Sequence, residues 1–296
     1  MKLKELSLKE KPLFKRFLGL ASHRLAVFAF ENIYIWKALF KVSWAVVDNN
    51  LCVFFKDRSG CFLYLPPLGR KVSPAAIEES FRLMDSLNSN KEVSRIENVE
   101  EPELGFYRRL GLSIVYKSCD YLCRTRELAS LEGNRFKSKR AGFNYFIKHY
   151  SFEYLPFTPS SRRECLDLYA IWSRQRKRLN QDKVYQGMIA DSGRCLEFLL
   201  KDYRGLDLFG RLVRIEGKVK AFTFGFVLNP GIFCVLYEIT DLNIRGLAQF
   251  IFRRFSSELK YYRYLNIMDD SGLENLKEVK LSYRPVDTPK AYIIQR

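Results

Sequence analysis

Short apolar runs separated by turn residues dominate the chain. Trp44–Val47 and Leu51–Phe55 flank Asp48-Asn49-Asn50, which predicts a β-hairpin. A further strand, Cys61–Leu65, ends at Pro66-Pro67. Ser73-Pro74 then opens a helix running to about Leu87, with Ser73 as its N-cap and Glu78 and Glu79 early in the helix. A helix around Pro12–Leu20, a short helix Pro102–Leu110 closed by Gly111, and a strand Leu112–Tyr116 complete the first part. Asp120–Leu131 bridges to the second part without a Pro/Gly/Ser-rich linker.

The pattern sharpens after residue 131. Asn134–His149 reads as a helix with Phe136, Phe143, Phe146 and Ile147 on one side. Arg162–Arg178 is a second helix, carrying Cys165, Leu166, Leu168, Tyr169 and Trp172, and Cys195–Leu200 belongs to a third. Leu208–Ile215, Val219–Leu228 and Ile232–Thr240 are three strands joined by Glu216-Gly217-Lys218 and Asn229-Pro230-Gly231, an antiparallel meander. A helix Arg245–Leu259, a strand Tyr264–Met268, a helix Leu273–Val279 and a strand Ala291–Ile294 follow. This order is the one expected of an acyl-CoA N-acyltransferase-type (GNAT-like) lobe. A weaker version occupies the first half. The expected class is therefore α/β, in the α+β sense. It consists of two tandem lobes, residues 1–130 and 131–296, each a mixed and largely antiparallel sheet flanked by helices.

Composition narrows the classes. The 296 residues are 47% hydrophobic and 28% charged, a globular balance. The net charge of +17 is uneven: residues 1–130 hold 21 Lys/Arg against 15 Asp/Glu, and the remainder 29 against 18. Such a field favours polyanions, such as RNA, anionic lipid headgroups or a phosphorylated cofactor, although a solvated basic surface would look the same. Seven Cys without framework spacing and only two His argue against a disulfide scaffold and against a metal site. No apolar run is long enough to span a bilayer, and Leu18–Phe30 is broken by His23 and Arg24. The expected location is the cytoplasm, with contact to the inner membrane face through the basic surface. Neither a Walker loop nor a dinucleotide fingerprint nor a G-x-S-x-G elbow occurs.

The densest chemistry lies in Asp269–Pro285. A strand ends in Asp269-Asp270, Ser271-Gly272 turns the chain, and a short helix delivers Lys280, Ser282, Tyr283 and Arg284. Carboxylates, an ammonium, a phenol and a guanidinium suit proton transfer and oxyanion or phosphate stabilisation. A structural turn capped by Asp270 or Ser271 is the alternative. Glu238 stands inside an apolar strand, where a carboxylate is costly unless it is paired or functional, and Asp241 follows at the strand end. Arg245-Gly246 opens a helix where a phosphate could sit, yet the loop holds a single Gly, and Asn243 as an ordinary cap would explain it equally. Basic runs at Arg135, Lys137, Lys139, Arg140 and Lys148, and at Arg174, Arg176, Lys177, Arg178 and Lys183, could grip phosphates or simply face solvent.

Several segments resemble the family named for the C-terminal domain of phosphatidylglycerol lysyltransferase. Lys280-Leu-Ser-Tyr-Arg-Pro285 is similar to its Lys-x-Ser-Tyr-x-Pro ending. Leu8–Phe14 and Phe28–Trp36 resemble its N-terminal signature, and Lys139-Arg140 with Asn144 and Phe146 resembles its Lys-Arg-Asn-x-x-Asn-x-Phe helix, with Ala141 in place of an Asn. The resemblance implies a tandem acyltransferase fold. Its better-understood relatives move an aminoacyl group from aminoacyl-tRNA to a lipid hydroxyl, and the related Fem-type enzymes move one to a peptidoglycan amine. The expected activity is therefore aminoacyl transfer to a lipid or another hydroxyl or amine acceptor. The expected base or amine anchor is Glu238 or Asp269, with Lys280 and Arg284 facing the oxyanion or a phosphate and Tyr283 donating a proton. Asp241, Arg245, Gly246, Asp270, Lys139, Arg140 and Asn144 are the expected binding residues. The donor is aminoacyl-tRNA or acyl-CoA. A non-catalytic module that binds RNA or anionic membranes is the remaining alternative.

Overall fold

The computed structural model describes all residues from Met1 to Arg296. It divides into two compact units. Unit 1 comprises Met1–Tyr121, Met268–Lys277 and Thr288–Arg296, and unit 2 comprises Leu122–Ile267 and Glu278–Asp287. The division differs from a single break after residue 130, because pairing between distant strands decides it and local pattern does not reveal such pairing.

Unit 1 opens with β1 (Lys4–Glu5), α1 (Lys11–Leu18) and α2 (Phe30–Ile35). The expected hairpin is β2 (Lys41–Val47) and β3 (Asn50–Lys56). Asp48 and Asn49 both take positive φ, +46° and +58°, as a two-residue hairpin turn of this hand requires. After β4 (Cys61–Leu63), Ser73 caps α3 (Pro74–Leu87) by accepting the Ala76 N–H. The cap and the Pro at the first helical position are why the sequence starts the helix there. β5 (Ile96–Glu100), α4 (Leu104–Arg109) and β6 (Ser113–Cys119) follow.

Unit 2 begins inside the expected bridge. β7 (Leu122–Arg124) is a strand, and α5 (Thr125–Ser130) packs with a later helix. α6 (Lys137–His149), β8 (Glu153–Pro156), α7 (Arg162–Leu179) and α8 (Lys183–Lys201) lead to the meander β9 (Leu208–Ile215), β10 (Lys218–Asn229) and β11 (Ile232–Thr240). Then come α9 (Leu247–Glu258), β12 (Tyr264–Asn266) and α10 (Glu274–Leu281), whose residues up to Lys277 are counted with unit 1. The sheet order is β7-β12-β11-β10-β9-β8, antiparallel except where β12 runs parallel to β11. Phe143 and Phe146 of α6 meet Leu247, Phe250 and Ile251 of α9 over Val213 and Ala221 of the sheet. Ile147, expected on the buried face of α6, is 46% exposed, because one further residue turns it about 100° away from Phe146.

The last strand, β13 (Lys290–Gln295), returns to unit 1. It inserts between β5 and β6, antiparallel to both, in a sheet of order β1-β2-β3-β4-β5-β13-β6. The expectation that it would finish the second lobe is corrected by this pairing. β7, from the first half of the chain, instead caps the second sheet against β12.

Two glycines of unit 2 test the packing. Gly246 adopts φ +83°, and a Cβ on it would lie 2.1 Å from the Gly142 carbonyl oxygen, where α9 starts against α6. Gly187 lies within α8 with open space around it. Gly246→Ala is therefore expected to destabilise the protein by at least ~1–2 kcal/mol. Gly187→Ala is expected to be neutral or to stabilise it by up to ~1 kcal/mol. Urea midpoints at constant slope measure both.

Candidate functional site

The candidate site of unit 2 arises from unequal strand lengths. β12 pairs with β11 only from Ile232 to Cys234 and stops at Asn266, whereas β11 continues to Thr240. Beyond Cys234, β11 is therefore paired on one side only, with β10. Glu238, opposite Thr223 of β10, sits on this half-paired stretch. Its Oε2 is shut off from solvent and has no hydrogen-bond partner. Burial, only partly offset by the Lys139 and Lys280 ammonium groups, raises the Glu238 carboxyl to about 8.

Three side chains converge on it. Lys139 comes from α6, with its ammonium 4.1 Å from the centre of the Tyr283 ring. Burial lowers the Lys139 pKa, and Glu238 resists that shift. Lys280, at the end of α10, donates to the Ile267 carbonyl just past β12. Tyr283 is buried against Phe252 of α9, with ring centres 4.5 Å apart. Burial first, then the charges of Glu238 and Cys123, raise its phenol well above the ordinary range, so it remains a proton donor. A carboxyl poised near neutral pH beside two cations and a protonated phenol can move one proton and stabilise one developing negative charge.

The other predicted residues of unit 2 have structural engagements. Asp241 accepts from Lys220 at 2.9 Å, Gln175 at 3.3 Å and the Asn243 N–H at 3.1 Å. Burial opposes its ionisation, but these donors hold its pKa below the ordinary value. Gly246 occupies the left-handed residue before α9, and the Arg245 guanidinium lies over the Tyr145 ring at 4.4 Å. Arg140 ties its guanidinium to the carbonyls of Leu131 and Gly133. Asn144 is exposed on α6, and Arg284 is exposed with φ +56°.

Asp269 and Asp270 belong to unit 1, whereas Lys280, Tyr283 and Arg284 belong to unit 2. Asp270 accepts the Tyr121 hydroxyl and, at 2.9 Å, the Gly272 N–H, so it shapes the turn. Asp269 lines a cavity of about 220 Å³ in unit 1, together with Glu97, Asn98 and Asp120. Sequence reading passed over these last three. The available signal was the polar pair Glu97-Asn98 interrupting the apolar Ile96 and Val99. Phe252 and Cys123 were also missed, because both read as ordinary core residues. No group of three or more His, Cys, Asp or Glu side chains is arranged to hold a metal ion, and no helix is long and apolar enough to cross a membrane.

The Glu238 carboxyl gives a pH signature. Its folded pKa lies above the unfolded one, so its contribution is favourable below about 4.5 and is lost as pH rises through about 8. Glu238→Gln removes the ionisation. Its melting temperature relative to the parent chain is expected to climb steadily between pH 5 and pH 8.5, as differential scanning calorimetry would show. A difference constant with pH would contradict the assignment.

Comparisons with known proteins agree with this architecture. A conserved protein of unknown function from Bacteroides thetaiotaomicron superposes with a TM-score of 0.88 at 26% identity, covering 99% of both chains. L-PGS from Bacillus licheniformis superposes at 0.67 and 17% identity, over 99% of this chain and 93% of that one. A tandem GNAT protein from the clavulanic acid biosynthesis pathway superposes at 0.50 and 10% identity, over 99% and 97%. The last two show likeness of fold alone, and that fold is the tandem GNAT-like α/β arrangement read from element order. No curated protein matches the chain. The model of one family, described as phosphatidylglycerol lysyltransferase, C-terminal, matches residues 21–295. With nearly the whole chain matched, the protein belongs to the phosphatidylglycerol lysyltransferase C-terminal family, which points to acyl transfer of the lysyltransferase kind.

Proposed function

We propose that the protein transfers an aminoacyl group from aminoacyl-tRNA to a hydroxyl or amine acceptor such as a lipid headgroup, at the Glu238 cluster of unit 2. The observation that carries the reading is the half-buried Glu238, whose Oε2 is shut off from solvent without a hydrogen-bond partner and whose carboxyl, raised to about 8, feels the Lys139 and Lys280 ammonium groups and the Tyr283 phenol. The acceptor oxygen or nitrogen attacks the ester carbonyl carbon. Ionised Glu238 takes its proton, and the Lys280 ammonium meets the charge growing on the carbonyl oxygen. As the intermediate collapses, the ester C–O bond breaks and the proton passes to the departing ribose oxygen. Protonated Tyr283 is a second donor for that step. The reaction needs no covalent enzyme intermediate.

The choice of donor rests on two features. The loop preceding α9 has one glycine, and its carboxylate is engaged by Lys220 and Gln175, which is a poor cradle for the pyrophosphate of coenzyme A. The basic residues of α6 and of the α7–α8 turn supply a footprint suited to several phosphates.

The test uses tRNA charged with a mixture of radiolabelled amino acids. Phosphatidylglycerol vesicles and a soluble primary amine serve as acceptors. Label is expected in one acceptor fraction, with Glu238→Gln and Lys280→Ala each lowering the rate roughly a hundredfold. Full rates in both variants would remove the cluster from the reaction. Transfer from acetyl-CoA instead, accompanied by a rise in melting temperature on its addition, would move the donor to a thioester.

A further inference from the structure

The end of the unit 2 sheet away from Glu238 carries a surface that the transfer chemistry above does not use. β12 begins there at Tyr264, which pairs with Ile232 of β11 on one side and with Arg124 of β7 on the other. Glu238 lies further along β11, ~20 Å from Ile232 at the rise of a strand.

Backbone hydrogen bonds fix this end. The Tyr264 N–H donates to the Gly231 carbonyl at 3.0 Å, and the Thr125 N–H to the Arg263 carbonyl at 3.2 Å. The Tyr262 N–H donates to the Leu259 carbonyl at 2.9 Å, which closes a tight turn with Lys260 and Tyr261 at its two central positions. Leu259 is buried, and the Tyr262 ring packs on Phe233 with centres 5.4 Å apart, so both feet of the turn are anchored. Between them Tyr261 is 96% exposed: nearly its whole ring stands in water on a fixed support.

The charges around that ring are of one sign. Arg124, Arg126, Lys260 and Arg263 are all exposed, and none is paired with a carboxylate. The acidic residues nearest to them in sequence are engaged elsewhere. Glu127 binds Arg135 at 2.9 Å, and Glu258 binds Arg211 at 2.5 Å. Four like charges on one fixed backbone repel one another, a cost that an arriving anion removes.

Three kinds of partner carry the opposite charge, and the ring selects among them. A bilayer takes up an apolar face beside the cations, but Tyr261 stands among charges, with Tyr262 and Tyr264 half-buried next to it. An acidic protein surface needs an apolar floor around such a ring to exclude water, and the same neighbours deny it one. A single polynucleotide strand offers base faces for a tyrosine and phosphates for the cations at once. A double helix keeps its bases stacked on one another and leaves no face for the ring.

We infer that this surface binds a single-stranded nucleic acid, with one base stacked on Tyr261 and the flanking phosphates at Lys260, Arg263, Arg124 and Arg126. The inference rests neither on Glu238 nor on the donor proposed above, and it uses none of the basic residues of α6 to α8.

Fluorescence anisotropy on the full chain compares RNA and DNA strands of about 12 nucleotides with their duplexes. Both strands are expected to bind more tightly than the duplexes. Other basic stretches of the chain also attract polyanions, so the variants decide. Tyr261→Ala and Tyr261→Leu are each expected to weaken strand binding about tenfold and to leave duplex binding unchanged. Tyr261→Phe, which keeps a stacking face, is expected to bind like the parent chain. Lys260→Ala combined with Arg263→Ala is expected to reduce the salt dependence of strand binding by about 1.4 in log–log slope. The substituted side chains are exposed, and circular dichroism confirms that each variant is folded. Undiminished strand binding by Tyr261→Ala would overturn the inference. So would a Tyr261→Ala variant that keeps strand binding and loses binding to phosphatidylglycerol vesicles, which would make the surface a bilayer contact.

Discussion

A nine-residue strand beside a three-residue one governs the second unit. Where β12 stops, β11 keeps its full extension but loses a neighbour, and the polar side chain at that point enters neither a complete sheet nor open water. The half-enclosed position explains why Glu238 is both buried enough to be protonated near neutral pH and near enough to Lys139 and Lys280 to be ionised at modest cost. Had β11 stopped with β12, the carboxylate would be solvated and ordinary. The setting of Glu238 thus follows from a mismatch in strand length, and Tyr283 packs on Phe252 beside it.

Much of the local structure is written in the sequence. The β2–β3 hairpin, the Ser73 cap and the meander of unit 2 follow from turn chemistry and short apolar runs, and the structure places each within three residues of expectation. Long-range pairing has no such local signal. Ala291–Ile294 reads as a strand, but nothing in it says that its neighbours are Ile96–Glu100 and Ser113–Cys119. The extra strand β8 and the membership of β7 in the second sheet were hidden for the same reason.

The site was legible in part. Glu238 stood out because a carboxylate in an apolar strand is expensive, and Lys280 and Tyr283 stood out through their motif. Asp269 was drawn toward them by adjacency along the chain, although the fold assigns it to the other unit. Asp241 and Arg140 show the opposite outcome: polar residues near a site whose bonds are already spent on loops and carbonyls. Glu97 and Asp120 escaped notice because they meet only at a cavity, which is not a property of sequence spacing.

The placement of β13 bears on how the protein is made. Unit 1 needs Lys290–Gln295 to fill the slot between β5 and β6, which end at Glu100 and Cys119, far earlier in the order of synthesis. Until then β5 and β6 have unpaired edges, which invite wrong partners. All the strands of unit 2 are complete by residue 266, so its sheet can assemble while the first is still open. The sheet of the unit encoded first therefore waits for the last strand of the chain to be complete.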